Sequence, residues 1–381
     1  MIRVLMVSDV YFPRINGVST SIETFRGALT SHGVEVTLVV PSYGDDDPAP
    51  DIIRVPSRRV PHDPEDRLAQ YAKLRRTTLK AAANCDVIHV QTPFAAHYAG
   101  LYAARRLRKP VIATYHTLFE EYLQHYIPWL PAALLRGLAR RFSRGQCNQL
   151  DAVIVPSRAM RTRLHGYGIH RPLHVLPTGL PTSAFIPGDG VAFRSRHGIA
   201  ASRPVVLFVG RVAHEKNIGF LLEAVTLARR GSPDILFLVT GEGPARADLE
   251  RHATRLGLGA HTRFLGYLDR KNELPSAYAA ADAFVFASRT ETQGLVLLEA
   301  MAQSCPVVGL SLMGTADILG PLRGCRIAPD DPGGFAAVLL ELLADPVGRV
   351  RLGVAAHAYA QEWSDQALAG RLAMLYRELL K

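Results

Sequence analysis

Residues 288–302 have the sequence Ser288-Arg289-Thr290-Glu291-Thr292-Gln293-Gly294-Leu295-Val296-Leu297-Leu298-Glu299-Ala300-Met301-Ala302. The apolar run just before them, 283–287, has the length and the β-favouring residues of a buried strand, and 295–302 is rich in helix formers. The stretch therefore predicts a strand, a turn and the start of a helix. Gly294 leaves backbone room at that start, where unpaired N–H groups and the positive end of the helix dipole suit a phosphate. Two acids lie nearby, Glu291 in the turn and Glu299 in the helix. Because carboxylates do not bind phosphate, they predict a second ligand group beside it, and sugar hydroxyls are the natural partners of carboxylates.

The alternation of short β-rich runs with helical stretches continues along the whole chain. It occupies two successive parts, and each part predicts a parallel sheet with helices on both faces. We therefore expect an α/β protein with two doubly wound, Rossmann-like domains, whose ligands bind at the carboxyl ends of the strands, in the cleft between the domains. The Pro- and Gly-rich segment 176–183 predicts the boundary. The expected parts are 1–178, 179–364 and a last helix over 365–381.

Composition limits the class of protein. The 381 residues are 48% hydrophobic and 20% charged, as in ordinary globular proteins. No apolar run approaches the roughly 18 residues of a membrane span, and the opening residues predict a strand rather than a signal peptide. The four cysteines have no metal-ligand spacing, so we expect free thiols in a reducing cytoplasm and neither a metal nor another cofactor.

Charge is unevenly distributed. Residues 1–180 hold 23 Lys and Arg against 14 Asp and Glu, a net +9, whereas residues 181–381 hold 21 against 20, a net +1. The basic excess therefore belongs to the N-terminal half. Nucleic acid, anionic lipid head groups or a phosphorylated substrate would each explain it, as would a basic surface without a partner.

The loop Gly210-Arg211-Val212-Ala213-His214-Glu215-Lys216-Asn217 leaves one predicted strand and enters a helix. A diphosphate leaving group gains negative charge as its bond to a sugar breaks, so cations aimed at it stabilise the transition state more than the ground state. Arg211 can bind such a group through two N–H donors, and Lys216 is a compact charge near the helix start. The loop predicts a diphosphate site.

Two glycine segments follow strands in the same manner. The segment 16–19 opens a helix, with Ser19 or Thr20 as its expected cap, and places the backbone N–H of Gly17 where a diphosphate could approach it. The segment 241–246 begins Gly-Glu-Gly but lacks the third glycine of a dinucleotide fingerprint, so a nicotinamide site is not expected.

The Glu-x7-Glu spacing with Gly294, together with the loop 210–217, resembles the donor-binding signature of retaining glycosyltransferases of the GT-B fold. The family is group 4, also called glycosyl transferases group 1, and the likeness extends to its diacylglycerol glucosyltransferases and phosphatidylinositol mannosyltransferases. The resemblance implies retention without a metal, an acceptor-side first domain, a nucleotide-sugar-binding second domain and a last helix that crosses back to the first. The donor-binding residues that it implies are Gly17, Gly210, Arg211, Lys216, Gly241, Tyr267, Leu268, Glu291, Gly294, Leu295, Val296 and Glu299.

Within that set the family implies separate roles. Glu291 orients the sugar, Glu299 binds the ribose, and the backbone of Tyr267 and Leu268 meets the nucleobase. Two residues depart from the family pattern: Ser304 stands where glycine is common, and Asp317 where glutamate is usual.

His116 ends a predicted strand, where a side chain would face a ligand. The segment 114–126, Thr-Tyr-His-Thr followed by Glu-Glu-Tyr-Leu-Gln-His-Tyr, is similar to lipid glucosyltransferases of the family. The resemblance implies that His116 touches the donor sugar near its primary hydroxyl. A structural histidine is the alternative.

Two basic segments remain in the N-terminal half. A predicted helix over 67–83 carries five basic residues and no acid up to position 80. In the segment 134–144, Leu134, Leu138 and Phe142 share one helical stripe, and Arg136, Arg140 and Arg144 share another. A solvated helix packed by its leucines and a helix lying on an anionic membrane surface are both consistent with this pattern.

We therefore predict a cytoplasmic glycosyltransferase, peripheral on the inner face of the cell membrane. It would move a hexose from a UDP- or GDP-linked sugar to a lipid such as diacylglycerol or a phospholipid, with His116, Glu291, Arg211 and Lys216 as catalytic residues. A soluble or polysaccharide-pathway acceptor is the alternative within the enzymes, and a sugar-nucleotide epimerase is a less favoured one. A basic binding module without catalysis is the alternative of another class. We expect no nucleic acid, because neither an interleaved aromatic platform nor a recognition helix is present.

Overall fold

The structure is a computed structural model that describes residues 1–14, 16–44, 46, 49–60, 63–116 and 132–381. It divides into two compact units, Met1–Gly179 with Asp365–Lys381, and Leu180–Ser364. The strands are, in chain order, β1 (Ile2–Val7), β2 (Val34–Pro41), β3 (Ile52–Val55), β4 (Ser57–Val60), β5 (Asp63–Ala69), β6 (Val87–Val90), β7 (Val111–Thr114), β8 (Ala152–Val155), β9 (Leu173–Val175), β10 (Val205–Val209), β11 (Leu236–Thr240), β12 (Thr262–Gly266), β13 (Ala283–Phe286), β14 (Val307–Gly309) and β15 (Cys325–Ile327). The helices are α1 (Gly17–Leu29), α2 (Tyr71–Ala82), α3 (Ala95–Leu107), α4 (Ala132–Cys147), α5 (Arg158–Gly166), α6 (Gly190–Arg196), α7 (Ile218–Ala228), α8 (Arg246–Arg255), α9 (Glu273–Ala280), α10 (Leu295–Ala302), α11 (Thr315–Leu319), α12 (Pro332–Ala344), α13 (Pro346–Gln361) and α14 (Asp365–Leu379).

The first unit is built on a seven-stranded parallel sheet in the order β3-β2-β1-β6-β7-β8-β9. β1 lies inside this sheet, and its last four residues are completely buried. The chain adds strands on one side of β1 and then returns to add β6 on the other, so the point between β1 and β6 is where the direction of winding reverses. Ligands of doubly wound sheets bind outside the carboxyl ends of the strands at such a point.

The second unit has the same plan in a six-stranded parallel sheet, in the order β12-β11-β10-β13-β14-β15. Every residue of β10, β11 and β13 is buried, as expected for parallel strands covered on both faces. The reversal of winding here lies between β10 and β13. The two α/β sheets confirm the fold class that the sequence predicts.

The last helix, α14, packs on the first unit. Leu372, Ala373 and Tyr376 are completely buried in the apolar cluster that also contains Ile22 and Leu29 of α1. At the end of α14, a guanidinium N–H of Arg377 donates to the carbonyl of His32 over 2.7 Å. The crossing of the chain back to its first unit, implied by the family resemblance, is therefore confirmed.

Two local expectations from the sequence are wrong. The helix expected over 67–83 begins at Tyr71, because the residues before it pair as the antiparallel hairpin β4–β5. Charged residues fill this hairpin, so it lacks the alternating apolar pattern by which a strand is predicted. The cap of α1 is Asn16, whose side-chain oxygen accepts from the backbone N–H of Ser19 over 2.9 Å.

None of the helices in the described part of the chain is long and apolar enough to cross a membrane. The four cysteines are unpaired and buried.

Candidate active site

The loops that follow β10 and β13 meet at the reversal point of the second sheet. A short 3-10 turn, His214–Lys216, ends at Asn217, whose backbone is left-handed with φ of 57°. From there the Asn217 side chain donates to the carbonyl of Ala287 over 3.1 Å, and the Ser288 hydroxyl donates to the carbonyl of Glu215 over 3.1 Å. These two side chains hold the loops together at the carboxyl ends of neighbouring strands.

Lys216 and Glu291 form an ion pair across the same two loops. The Lys216 ammonium lies 2.7 Å from Glu291 Oε2, and their side chains are 23% and 17% exposed. Burial acts to raise the pKa of the Glu291 carboxyl, but the Lys216 ammonium and the backbone N–H groups of Gln293 and Thr292 outweigh it and lower the pKa below its ordinary value. Glu291 is therefore an ionised carboxylate with a fixed orientation.

Arg211 differs from Lys216 in its surroundings. Its side chain is 63% exposed, and its nearest carboxylate is Glu215 at 3.8 Å, which is longer than a hydrogen bond. The guanidinium can therefore reorient toward an anionic ligand at little cost.

Glycine is required where the loop after β11 meets the loop after β10. Gly241 has φ of 119°, and a Cβ there would lie 2.0 Å from the carbonyl oxygen of Gly210; a Cβ on Gly243 would lie 2.3 Å from the carbonyl oxygen of Val212. The backbone is also bonded across this contact, because Val212 donates to the carbonyl of Glu242 over 3.0 Å. The Gly-Glu-Gly segment thus allows two strand-end loops to pack backbone against backbone.

The turn before α10 has the geometry that its sequence predicts. Gly294 has φ of 94° and precedes Leu295, the first residue of the helix. The loop after β14 closes over the turn, since the Gly314 N–H donates to the carbonyl of Glu291 over 2.8 Å. Leu295 and Val296 therefore present the first N–H groups of α10 beside the Glu291 turn.

Glu299 is held by two protein donors. Its side chain is 11% exposed; Oε1 lies 2.5 Å from an Arg270 guanidinium nitrogen, and Oε2 accepts from the Tyr278 hydroxyl over 3.0 Å. Each carboxylate oxygen can accept a second hydrogen bond. In the loop that follows β12, Tyr267 is 79% exposed and Leu268 is partly buried.

In the first unit, His116 follows β7, and Thr117 together with the segment 120–126 lies outside the described residues. Burial lowers the pKa of the His116 imidazole to about 4, so the ring is neutral at neutral pH. Its Nε2 lies 3.1 Å from the Gln91 amide oxygen. Gly17 is the first residue of α1, beyond β1 in the same unit.

Sequence reasoning missed Asp9, which follows β1 at the reversal point of the first sheet. Its carboxyl accepts from the Thr92 hydroxyl over 2.7 Å and from the Ala96 N–H over 3.0 Å, and thereby ties the end of β1 to the start of α3. Burial raises the pKa of this carboxyl to about 6. An acid two residues after an apolar strand was the available signal. Gln91, at the corresponding end of β6, was missed as well.

Helix α4 exposes the residues that the sequence left open. Leu135 and Ala139 pack inward, at 2% and 0% exposure, whereas Leu134, Leu138 and Phe142 are 51%, 50% and 37% exposed. Arg136, Arg140 and Arg144 are also exposed. The leucine stripe 134–138 therefore does not pack the helix onto the unit, and α4 presents apolar and basic side chains to the exterior.

Within the described residues, no group of three or more His, Cys, Asp or Glu side chains could hold a metal ion.

Comparison with known proteins decides the family. Residues 15–184 match the family Glycosyltransferase Family 4, and residues 192–359 match Glycosyl transferases group 1. The chain belongs to these glycosyltransferases. This glycosyltransferase is 33% identical to the alpha-monoglucosyldiacylglycerol synthase of Streptococcus pneumoniae, over 80% of its own length and 70% of that protein. It is 29% identical to a GDP-mannose-dependent alpha-mannosyltransferase of Mycolicibacterium smegmatis, over 100% of its own length and 99% of the relative.

Solved structures agree with the GT-B fold of this glycosyltransferase. The Anabaena protein HepE, crystallised in complex with UDP, has a TM-score of 0.78 at 18% identity, covering 99% of this chain and 100% of that one. Sucrose-phosphate synthase from Thermosynechococcus elongatus also has a TM-score of 0.78, at 23% identity, covering 100% of this chain and 99% of that one.

Proposed function

We propose that this glycosyltransferase moves a hexose, with retention of anomeric configuration, from a UDP- or GDP-linked sugar to a hydroxyl of a membrane lipid such as diacylglycerol or a phospholipid. The observation that carries the proposal is the Lys216–Glu291 pair, a cation and an ionised carboxylate that lie together at the carboxyl ends of strands of the second sheet, where doubly wound sheets bind their ligands. A sugar diphosphate needs this combination, because its phosphates bind to positive charge and its sugar hydroxyls donate hydrogen bonds to a carboxylate.

In the second unit, Lys216 and Arg211 bind the diphosphate and stabilise the charge that grows on it as the glycosidic bond breaks. Glu291 orients the sugar through its hydroxyls, and Glu299 binds the ribose. Backbone groups complete the donor site, and those of the loop 267–268 contact the nucleobase. The residues whose backbone contacts the donor are Gly210, Gly241, Tyr267, Leu268, Gly294, Leu295 and Val296.

From the first unit we assign His116 to the donor sugar near its primary hydroxyl and the Gly17 N–H to the diphosphate. A neutral imidazole suits the first role, because its ring nitrogens can then accept one hydrogen bond and donate another.

Transfer proceeds on one face of the sugar. The bond from the anomeric carbon to the diphosphate oxygen breaks, the acceptor oxygen bonds to the same face of that carbon, and the acceptor proton passes to a leaving-group phosphate oxygen. No covalent intermediate with the protein is required. Lys216 and Arg211 supply the positive charge at the leaving group, so the reaction uses no metal.

The lipid acceptor is favoured by two observations. Two relatives, from Streptococcus pneumoniae and Acholeplasma laidlawii, are alpha-monoglucosyldiacylglycerol synthases, and the second is 28% identical to this chain. In addition, α4 exposes Leu134, Leu138 and Phe142 beside several arginines. Such a face suits the boundary between acyl chains and anionic head groups. We place the enzyme peripherally on the cytoplasmic face of the membrane.

The experiment is a panel of UDP- and GDP-sugars incubated with vesicles that contain diacylglycerol or phospholipid, and in parallel with soluble sugar acceptors. The proposal expects one donor to yield a glycolipid whose mass has increased by one hexose, with an equal amount of nucleoside diphosphate released. Efficient transfer to a soluble acceptor, with none to lipid, would replace the lipid by that acceptor.

A further inference from the structure

Gln91 is a buried residue at the carboxyl end of β6 that the reaction scheme above leaves without a role. It is 4% exposed, and its amide oxygen lies 3.1 Å from Nε2 of His116. β6 and β7 are neighbouring parallel strands; Gln91 follows β6 directly, and His116 lies two residues beyond the end of β7. The contact therefore joins the ends of two strands at the binding edge of the first sheet.

The chemistry of this contact fixes the state of the imidazole. In the structure the Gln91 amide is oriented with its oxygen toward Nε2. An amide oxygen only accepts hydrogen bonds, so with this orientation Nε2 carries the ring proton. Because burial lowers the pKa of His116 to about 4, the neutral ring holds one proton only. Nδ1 is then left with a lone pair and can accept a hydrogen bond.

The two chain segments are also joined two residues earlier, through His89. His89 precedes Gln91 by two residues, and Thr114 precedes His116 by two. His89 Nε2 lies 2.7 Å from the Thr114 hydroxyl, and its Nδ1 lies 2.7 Å from the Tyr376 hydroxyl of α14. The backbone N–H of Gln91 donates to the carbonyl of Val7 in β1 over 2.9 Å. Gln91 is thus held on a rigid part of the sheet.

We propose that Gln91 is a positioning residue that keeps His116 in the tautomer with the proton on Nε2, so that Nδ1 accepts a hydrogen bond from a hydroxyl of the donor sugar. The second half of this statement rests on the function proposed above. The first half concerns the protein alone.

Three variants of the full-length enzyme test the proposal. Gln91→Met keeps the size of the side chain and removes the acceptor. Gln91→Glu keeps an acceptor oxygen. Gln146→Met is the matched control, since Gln146 is 6% exposed in the same unit and its amide donates to the carbonyl of Pro93 over 2.6 Å. Histidine-selective nitrogen-15 NMR at alkaline pH reports the tautomer, and His116→Gln identifies the His116 signals.

We expect the Nε2–H tautomer in the wild type, in Gln91→Glu and in Gln146→Met, and a shift toward the Nδ1–H tautomer in Gln91→Met. In transfer assays Gln91→Met should lower kcat roughly tenfold with little change in the KM for donor, the scale of one misplaced hydrogen bond. Gln146→Met should lower it much less.

An Nδ1–H tautomer in the wild type, or an unchanged tautomer in Gln91→Met, overturns the proposal. So does a changed tautomer with unchanged kcat, or an equal loss of kcat in Gln146→Met. If the wild type transfers no sugar to any acceptor, the proposed function fails, whereas the NMR result still decides whether Gln91 sets the tautomer.

Discussion

Lys216 Nζ lies 2.7 Å from Glu291 Oε2, although the two residues are 75 positions apart in the chain. The pair joins the loops that follow β10 and β13, the two neighbouring strands at which the winding of the second sheet reverses. Both side chains are largely buried, so removing one leaves the other as an uncompensated charge. Cation and carboxylate are thus oriented by contacts within the protein.

Replacing Glu291 by Gln should lower transfer by about 100-fold or more, the scale of losing one preorganised polar contact. The glutamine keeps the shape of the side chain and an amide oxygen that can still accept from the Lys216 ammonium, so the folded structure should persist although the charge of Lys216 is no longer compensated. Steady-state kinetics and circular dichroism measure the two effects. Glu341→Gln, an exposed acid on α12, is the control and should leave the rate unchanged. Near-normal turnover in Glu291→Gln would remove this residue from the site.

Lys216→Ala and Arg211→Ala should each weaken the binding of nucleoside diphosphate and lower turnover. Each cation stabilises the negative charge of the diphosphate in the ground state and the additional charge that develops on it in the transition state. Isothermal titration calorimetry with UDP and GDP measures the affinity. Arg251→Ala is the control, since this arginine is 66% exposed in the same unit and pairs with Asp248. Unchanged affinity in both test variants would show that the loop after β10 does not bind the diphosphate.

His97 should make stability depend on pH. It is 2% exposed on α3, and Nε2 has no hydrogen-bond partner in the described part of the chain. Burial, with a smaller effect of Arg105, lowers its pKa from 6.5 to about 4. Below pH 6.5 the unfolded chain therefore binds a proton that the folded chain does not, so this contribution to stability is complete above pH 6.5 and is lost as the pH falls toward 4.

His97→Leu should remove this dependence. Between pH 6.5 and 4 the free energy of unfolding of the wild type should fall more steeply than that of the variant, by up to about 1.4 kcal/mol per pH unit. Urea unfolding at several pH values measures the difference. His170→Leu, at an exposed histidine of the same unit, should keep the slope of the wild type. Equal slopes in the wild type and His97→Leu would contradict the burial of a neutral His97.

Charge reversal on α4 tests the membrane surface. Arg136, Arg140 and Arg144 changed to Glu should reduce sedimentation with anionic vesicles and transfer to a vesicle-borne acceptor, while the affinity for donor in solution persists. Each basic residue near an anionic bilayer contributes about 1 kcal/mol, and the attraction is screened over about 8 Å at physiological ionic strength, so binding of the wild type should fade with salt.

The control for this triple variant changes the same number of exposed arginines in the second unit, Arg230, Arg326 and Arg351, to Glu. It should bind vesicles more strongly than the α4 variant. If both triple variants lose binding equally, net charge rather than the face of α4 is responsible.

The alternation of strands and helices predicted most of the fold, because buried parallel strands have continuous apolar sequences such as 205–209 and 283–286. It missed the hairpin β4–β5, in which charged residues such as Arg58 and Arg59 hide the strand pattern. Ser304 illustrates a similar limit. The family commonly has glycine there, and the structure gives the reason. Ser304 has φ of 57°, a left-handed backbone conformation that residues other than glycine rarely adopt.

For the candidate site, strand-end loops such as 210–217 and 288–294 were predictable because their residues are continuous in sequence. Contacts between distant segments were not. The pairing of Glu299 with Arg270 and of Gln91 with His116 depends on which strands lie side by side and how their ends are aligned. A residue type alone does not encode that information.

The stereochemistry of the product tests the central claim most directly. With an α-linked nucleotide sugar as donor, proton NMR of the product, taken early in the reaction, reports the configuration at the anomeric carbon. Retaining transfer on one face of the sugar predicts an α-linked hexose on the acceptor hydroxyl, together with an equal amount of free nucleoside diphosphate. A β-linked product would contradict the proposed mechanism.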